Sequence, residues 1–129
     1  MVVIDSDALI EILRKKPGAE KMISIIKNAP HPATTVINEF ELFVGANLAN
    51  REDNTKQTES LLESLTILEL DKKAVRKASE IYAQLLKQGE KLETSDVFIA
   101  AIAIANNEPL LTKNIAHFQR IPGLKIQQI

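Results

Sequence analysis

The sequence predicts an α/β fold with a central parallel sheet flanked by helices. Three observations lead there. Short apolar, β-branched runs alternate with longer segments of helical period along the chain. Helix-capping residues or Pro and Gly punctuate most of the junctions. The chain has 129 residues, 45% of them hydrophobic and 26% charged, which suits one packed core in a domain spanning 1–129.

The elements follow in order. Val2 to Ile4 is a buried strand. Asp5 or Ser6 caps a helix running to about Lys16, where Pro17-Gly18 stops it. A second helix covers Ala19 to Asn28, and Pro30-His31-Pro32 precedes a strand near Ala33 to Val36. A helix runs from about Ile37 to Asn50. Polar Arg51 to Thr58 then leads into another helix that ends near Leu65. Thr66 to Leu70 is a third strand. Asp71 opens a long helix to Lys87, closed by Gly89. Thr94 or Ser95 caps a helix to Asn106, and Pro109 to Leu111 is a fourth strand. One helical turn near Asn114 to Phe118 and a last strand at Leu124 to Ile126 close the chain.

Composition excludes several chemistries. There is no Cys, which removes disulfides, thiolate nucleophiles and Cys-based zinc sites. His31 and His117 are the only histidines, so a metal site must be built mostly from carboxylates, which suit Mg²⁺ or Mn²⁺. The formal charge of -1 gives no global basic field for a polyanion. Val97 to Ala105 is the longest apolar run and too short for a bilayer; with no targeting segment legible, a cytoplasmic protein is expected.

The carboxylates then stand out one by one. Asp5 directly follows the first strand, where it is either a helix N-cap or an active-site acid. Asp7 falls on a face with Glu11, Arg14 and Lys15, opposite Leu9, Ile12 and Leu13, and is expected to be solvated. In the third helix Glu39 lies with Asn47 and Asn50. Glu41 lies on a mostly apolar face between Ile37, Gly45 and Leu48, and needs a partner: an ion pair, a helix-edge position or a metal. Asp96 starts the most apolar helix, either as an acid complementing the helix dipole or as a group facing a cleft, with Glu93 three residues earlier as a second capping-region acid. If the sheet is parallel, Asp5, Glu41 and Asp96 all fall at one end of it, and three such acids do not all ionise cheaply without a cation.

Four segments in order resemble the PIN-domain ribonucleases, in particular the VapC-type toxins of toxin–antitoxin pairs: "VVIDSDALI", "TTVINEFELFVGA", "GEKLETSDVFIAAIAIAN" and "PLLTKNIAHFQRIPGLKI". The resemblance covers essentially the whole chain and implies a three-layer PIN-like domain and a metal-dependent endoribonuclease acting on single-stranded or structured RNA. It implies Asp5, Glu41 and Asp96 as the catalytic, Mg²⁺- or Mn²⁺-binding acids. Asn114 sits where many relatives carry a fourth acid; an amide brings no charge, which weakens the case for a tightly held second metal. Ser6 and Thr112 would be site hydroxyls, orienting water or phosphate, or serving in caps and turns. Lys113 is either a phosphate contact or solvated, and His117 matches no catalytic position and is read with Phe118 as packing or surface.

The resemblance also implies a homodimer and a small antitoxin protein. The third helix is the expected dimer face, with Phe43 exposed beside Glu39 and Asn50. An amphipathic antitoxin helix is expected in an apolar groove, sending a basic residue toward the carboxylates. Rival readings are a haloacid-dehalogenase-like phosphatase using Asp5 and Asp7, a receiver-like signalling domain, and a catalytically silent PIN-like binding module. The receiver lacks a phosphorylatable Asp after a middle strand, and the phosphatase opening has Leu9 where Thr or Val is usual.

Overall fold

The computed structural model describes residues 1–128; Ile129, the last residue of the expected domain, lies outside the described residues. The described residues form twelve elements: β1 (Val2–Ile4), α1 (Ser6–Leu13), α2 (Ala19–Asn28), β2 (Pro32–Thr35), α3 (Val36–Ala49), α4 (Glu52–Glu63), β3 (Thr66–Leu68), α5 (Lys72–Lys87), α6 (Thr94–Ala105), β4 (Leu110–Thr112), α7 (Ile115–Phe118) and β5 (Ile126–Gln128). The strands form one sheet in the order β3-β2-β1-β4-β5, every neighbouring pair parallel. The chain builds outward from β1 to β3, then returns across β1 to β4. The direction of strand growth therefore reverses between β1 and β4, and their carboxyl ends flank the crevice that such a reversal opens.

Strand alternation divides the core in two. Val3 and Leu110 face a cluster with Ile81, Leu85, Ile99 and Phe118, under α5, α6 and α7. Val2, Ile4 and Leu111 face the other side, packing with Leu9, Met22, Leu42 and Leu62 from α1 to α4. Successive strand residues point to opposite faces, so strands of three or four residues serve both layers at once. The α6 run from Ile99 to Ala103 is buried without a break, which explains why this helix has almost no polar face.

The observed boundaries shift by a few residues from the sequence expectation. Helix α1 ends at Leu13 and not at Lys16, because Lys15 takes a left-handed conformation with φ 52°. The amides of Lys15 and Lys16 turn back to the carbonyls of Ile12 and Glu11 at 3.2 and 3.0 Å, a Schellman ending. Gly89, at φ 70°, closes α5 in the same way. Strand β4 extends to Thr112 and β5 begins only at Ile126. Most of the polar stretch expected to precede α4 is itself helical from Glu52, with Glu52 and Asp53 in the first turn complementing the helix dipole. Its buried side chains are Thr58 and Leu62, too few for an apolar period to stand out.

Two expectations for α1 and α3 fail. Glu11 is half-buried and paired with Lys113 rather than solvated, and its Oε2 is buried with no hydrogen-bond partner. Phe43 is half-buried against the core, whereas Phe40 is 66% and Leu48 81% exposed. Helix α3 is apolar on several sides, and the line Asn38, Leu42 and Ala46 goes inward. Phe40, Val44 and Leu48 stand two residues further on, roughly 200° round the helix. No helix of the described residues is long and apolar enough to cross a membrane.

Candidate active site

Asp5 leaves β1 at the strand-order reversal and caps α1, so the N-cap reading of this residue holds, at the carboxyl end of the strand where an active-site acid was expected. Its carboxylate is buried and accepts three hydrogen bonds. Oδ1 accepts from the Ser6 amide at 2.9 Å and from Asn38 Nδ2 at 3.1 Å. Oδ2 accepts from Thr112 Oγ1, at the end of β4, at 2.8 Å. Desolvation nonetheless dominates and pushes its pKa from 3.8 up to about 6, with Asp7 and Asp96 adding like-charge repulsion against the lowering effect of Thr112 and Ser6.

Asn38 is the organising residue that sequence reasoning passed over. It is fully buried in the first turn of α3. Its Oδ1 accepts from Thr35 Oγ1 at 2.7 Å and from the Thr35 amide at 3.2 Å, completing a capping box at the β2–α3 junction. Its Nδ2 donates to Asp5 and, at 2.8 Å, to Ser6 Oγ. Ser6 Oγ in turn donates to Glu41 Oε1 at 2.8 Å. The sequence signal is Thr-x-x-Asn straight after a strand, an N-cap with an amide at its third helical position.

Glu41 and Asp96 are half-buried and both are raised, mainly by burial. Asp96 raises Glu41 and Asp5, and Asp7 raises all three. Asp7 is exposed, as expected, yet it stands close enough to add its charge to the set. Asp96 has the only nearby imidazole, with His117 Nδ1 3.6 Å from Oδ2. His117 is a surface position, as expected, and its ring also stands beside Asp96. Asn114 Nδ2 stands 2.8 Å from the same nitrogen, so it faces His117 and not Asp5. The neutral ring accepts from Asn114; a protonated ring would donate to Asp96 instead.

Other accessory residues take structural posts. Ser6 and Thr112 spend their hydroxyl protons on Glu41 and Asp5, and Thr112 Oγ1 also accepts from the Asn114 amide at 2.9 Å. Both hydroxyls therefore orient carboxylates. Glu93 occupies the N-cap position of α6 without a side-chain cap bond, and its charge raises Asp96. Among the described residues no three acids or imidazoles close on one point as a finished metal cage. The donor chemistry still fits a hard divalent cation. Asp5 has three donors on a carboxylate that can accept about four, and among the described residues no Lys or Arg is paired to any of the three raised acids.

A parallel sheet in this order, with a buried acid after β1 and half-buried acids on α3 and α6, has the layout of the PIN class of α/β domain. The family profile described as PIN domain matches residues 2–124, and the chain belongs to that family. It is similar to Ribonuclease VapC1 of Methanocaldococcus jannaschii, 30% identical over 127 residues that make up 97% of this chain and 85% of the relative. It is also similar to Ribonuclease VapC2 of Haemophilus influenzae, 29% identical over 126 residues, 97% of this chain and 95% of the relative. Among solved structures it resembles VapBC2 from Rickettsia felis, crystallised with a DNA fragment from its promoter, with a TM-score of 0.88 at 26% identity over 100% of this chain and 99% of the other. DNA-bound VapBC from Salmonella typhimurium gives 0.87 at 26%, covering 99% and 98%. These findings leave the phosphatase and receiver readings without support.

The raised Asp5 has a measurable consequence for the metal-free protein. A buried acid that keeps its proton longer when folded gives stability that is full below about pH 4 and lost as pH rises through about 6. The shift corresponds to about 3 kcal/mol at pH 7. Urea unfolding of the metal-free protein from pH 4 to 7 should show that decline, and Asp5→Asn should flatten most of it. An unchanged slope in the variant would assign the decline to other groups.

Proposed function

We propose that the chain is a metal-dependent endoribonuclease hydrolysing phosphodiester bonds in RNA, the toxin of a toxin–antitoxin pair, working in the cytoplasm where its substrate lies. One observation carries the reading: Asp5, Glu41 and Asp96 stand at one sheet edge, each raised by burial and by its neighbours, in a chain of the PIN family. Acids so placed favour a cation over silence, which argues against a binding module without catalysis. Asp5, Glu41 and Asp96 are the residues that would hold Mg²⁺, or Mn²⁺ in its place. Such an ion, when bound, supplies positive charge at the scissile phosphate and acidifies a water.

The chain's own residues supply the rest. Asn38, Ser6 and Thr112 fix the Asp5 carboxylate so that its free lone pair keeps one direction. Ser6 aligns Glu41 from the same turn. His117 limits the swing of Asp96, and Asn114 steadies His117. Asp5→Asn, Glu41→Gln and Asp96→Asn should each abolish RNA cleavage and weaken Mg²⁺ binding measured by calorimetry. Glu39→Gln should change little, and Asp7→Asn should cost less than tenfold, since Asp7 acts only through its charge. Full cleavage in all three site variants, or in a chelator, would end the metal-nuclease reading.

Two partners follow from the same reading. The exposed line Phe40, Val44 and Leu48 on α3 suits a symmetric homodimer. Light scattering should give twice the chain mass at tens of micromolar, and Phe40→Asp should halve it; a monomeric wild type would remove the dimer. The antitoxin helix is assigned to a groove of about 150 Å³ between α1, α3 and α4, where Leu13, Leu42, Ala46 and Ala49 make an apolar trough that ends at Glu41. A basic side chain from that helix would meet the acids there. Gly45 lines the groove, and a side chain added there meets nothing within 4 Å in the chain itself. Gly45→Phe should therefore keep RNA cleavage while growth arrest escapes rescue by the co-expressed antitoxin. Rescue equal to wild type would place the antitoxin elsewhere.

A further inference from the structure

A second cavity, of about 560 Å³, adjoins the acids without using them. It lies between the C-terminal half of α5, the connection into α6, and α7. Tyr82 and Leu86 form one wall, both exposed at 38% and 57%. Arg120 also lines the cavity, its Nη1 donating to the Lys91 carbonyl at 3.3 Å. His117 lines the cavity as well, and it stands beside Asp96. His117 therefore belongs both to the cavity lining and to the surroundings of Asp96.

We propose that this cavity is the subsite for one nucleotide of a single-stranded RNA chain, next to the phosphate that the acids address. The proposal rests on the ribonuclease reading and adds where the substrate is held. The base lies on the Tyr82 ring against Leu86, and the phosphate of that nucleotide meets Arg120. Unpaired bases stack on aromatic faces whatever their sequence. A chain of net charge -1 offers no general attraction to RNA, so a local cation must provide it. Arg120 is suited because its guanidinium forks onto phosphate and is already steadied by the Lys91 carbonyl. Glu90 and Glu93 also border the cavity. They accept from an exocyclic amino group and repel a second phosphate, so the cavity takes one base and not a run of backbone.

The sequence supplies its own probe. Tyr82 is the only tyrosine and there is no tryptophan, so the chain's tyrosine fluorescence reports on this wall alone. In the cleavage-impaired Glu41→Gln protein, single-stranded RNA octamers should quench that fluorescence in a saturable way. Anisotropy of labelled RNA should show about tenfold weaker binding for Tyr82→Ala and near-normal binding for Tyr82→Phe. Arg120→Gln should lower the slope of log affinity against log salt by about 1. RNA that binds without quenching overturns the subsite and leaves the ribonuclease reading standing if wild type still cuts RNA in Mg²⁺. Quenching that tracks self-association or an added antitoxin, with RNA affinity unmoved in Tyr82→Ala, assigns the wall to a protein contact and also overturns it. Neither binding nor cleavage of RNA defeats both readings.

Discussion

The carboxylate of Asp5, buried at the junction of β1, β4 and α3, is the constraint around which the sheet edge is arranged. Removing an ionised carboxylate from water costs several kcal/mol unless donors replace the water. Three donors do so here, from Ser6, Asn38 and Thr112, and they come from three separate parts of the chain. Satisfying Asp5 therefore requires α3 to start where it does and β4 to end where it does. Thr34 adds a clamp one strand away, donating to the Ile4 carbonyl at 2.6 Å. A polar network of this kind tolerates no missing member, because each loss leaves a buried group unpaired.

The two apolar layers hold this edge rigid. Strands of three or four residues contribute little surface, so the helices must carry most of the burial. Helix α6 does so nearly all round, and its N-terminal end reaches the sheet edge with Asp96 in its first turn. The same packing that anchors α6 fixes the place of Asp96. Helix α3 joins the two layers, since Ile37 packs with one core and Leu42 with the other. That position puts Asn38 and Glu41 on a helix with little freedom to shift.

The acids stay in tension inside that rigid frame. Hydrogen bonds favour the ionised form of Asp5 while burial and Asp7 and Asp96 oppose it, and burial wins. Glu41 and Asp96 are raised by the same balance. Stability would be served by removing one of these charges, and the chain keeps them all. Like charges held together in this way raise one another, so the proton affinity of each depends on the other two and on Asp7.

Local chemistry in the sequence decided the element order, most helix ends and the acids that stand apart. The β-branched runs, the Thr and Asp caps, Gly89 and the unbroken Val97 to Ala105 run are each legible within a few residues of chain, because propensity, capping and period act at that range. Asp5, Glu41 and Asp96 were singled out in the sequence by lacking a local partner. Their common placement followed from the sequence only on the condition of a parallel sheet, since it depends on the return of the chain from β3 across to β4. Glu11 and Lys113, 102 residues apart, pair only because α1 and the end of β4 are neighbours in the fold. Asn38 carries an ordinary capping residue's signature, and only burial against Asp5 and Ser6 gives it its larger role. Phe40 and Phe43 could not be ranked along a helix apolar on several sides; the sheet decided, by packing against one of those sides and leaving the other to solvent. A helical period shows which residues share a face, while the partner that face meets is set by the crossings of the whole chain.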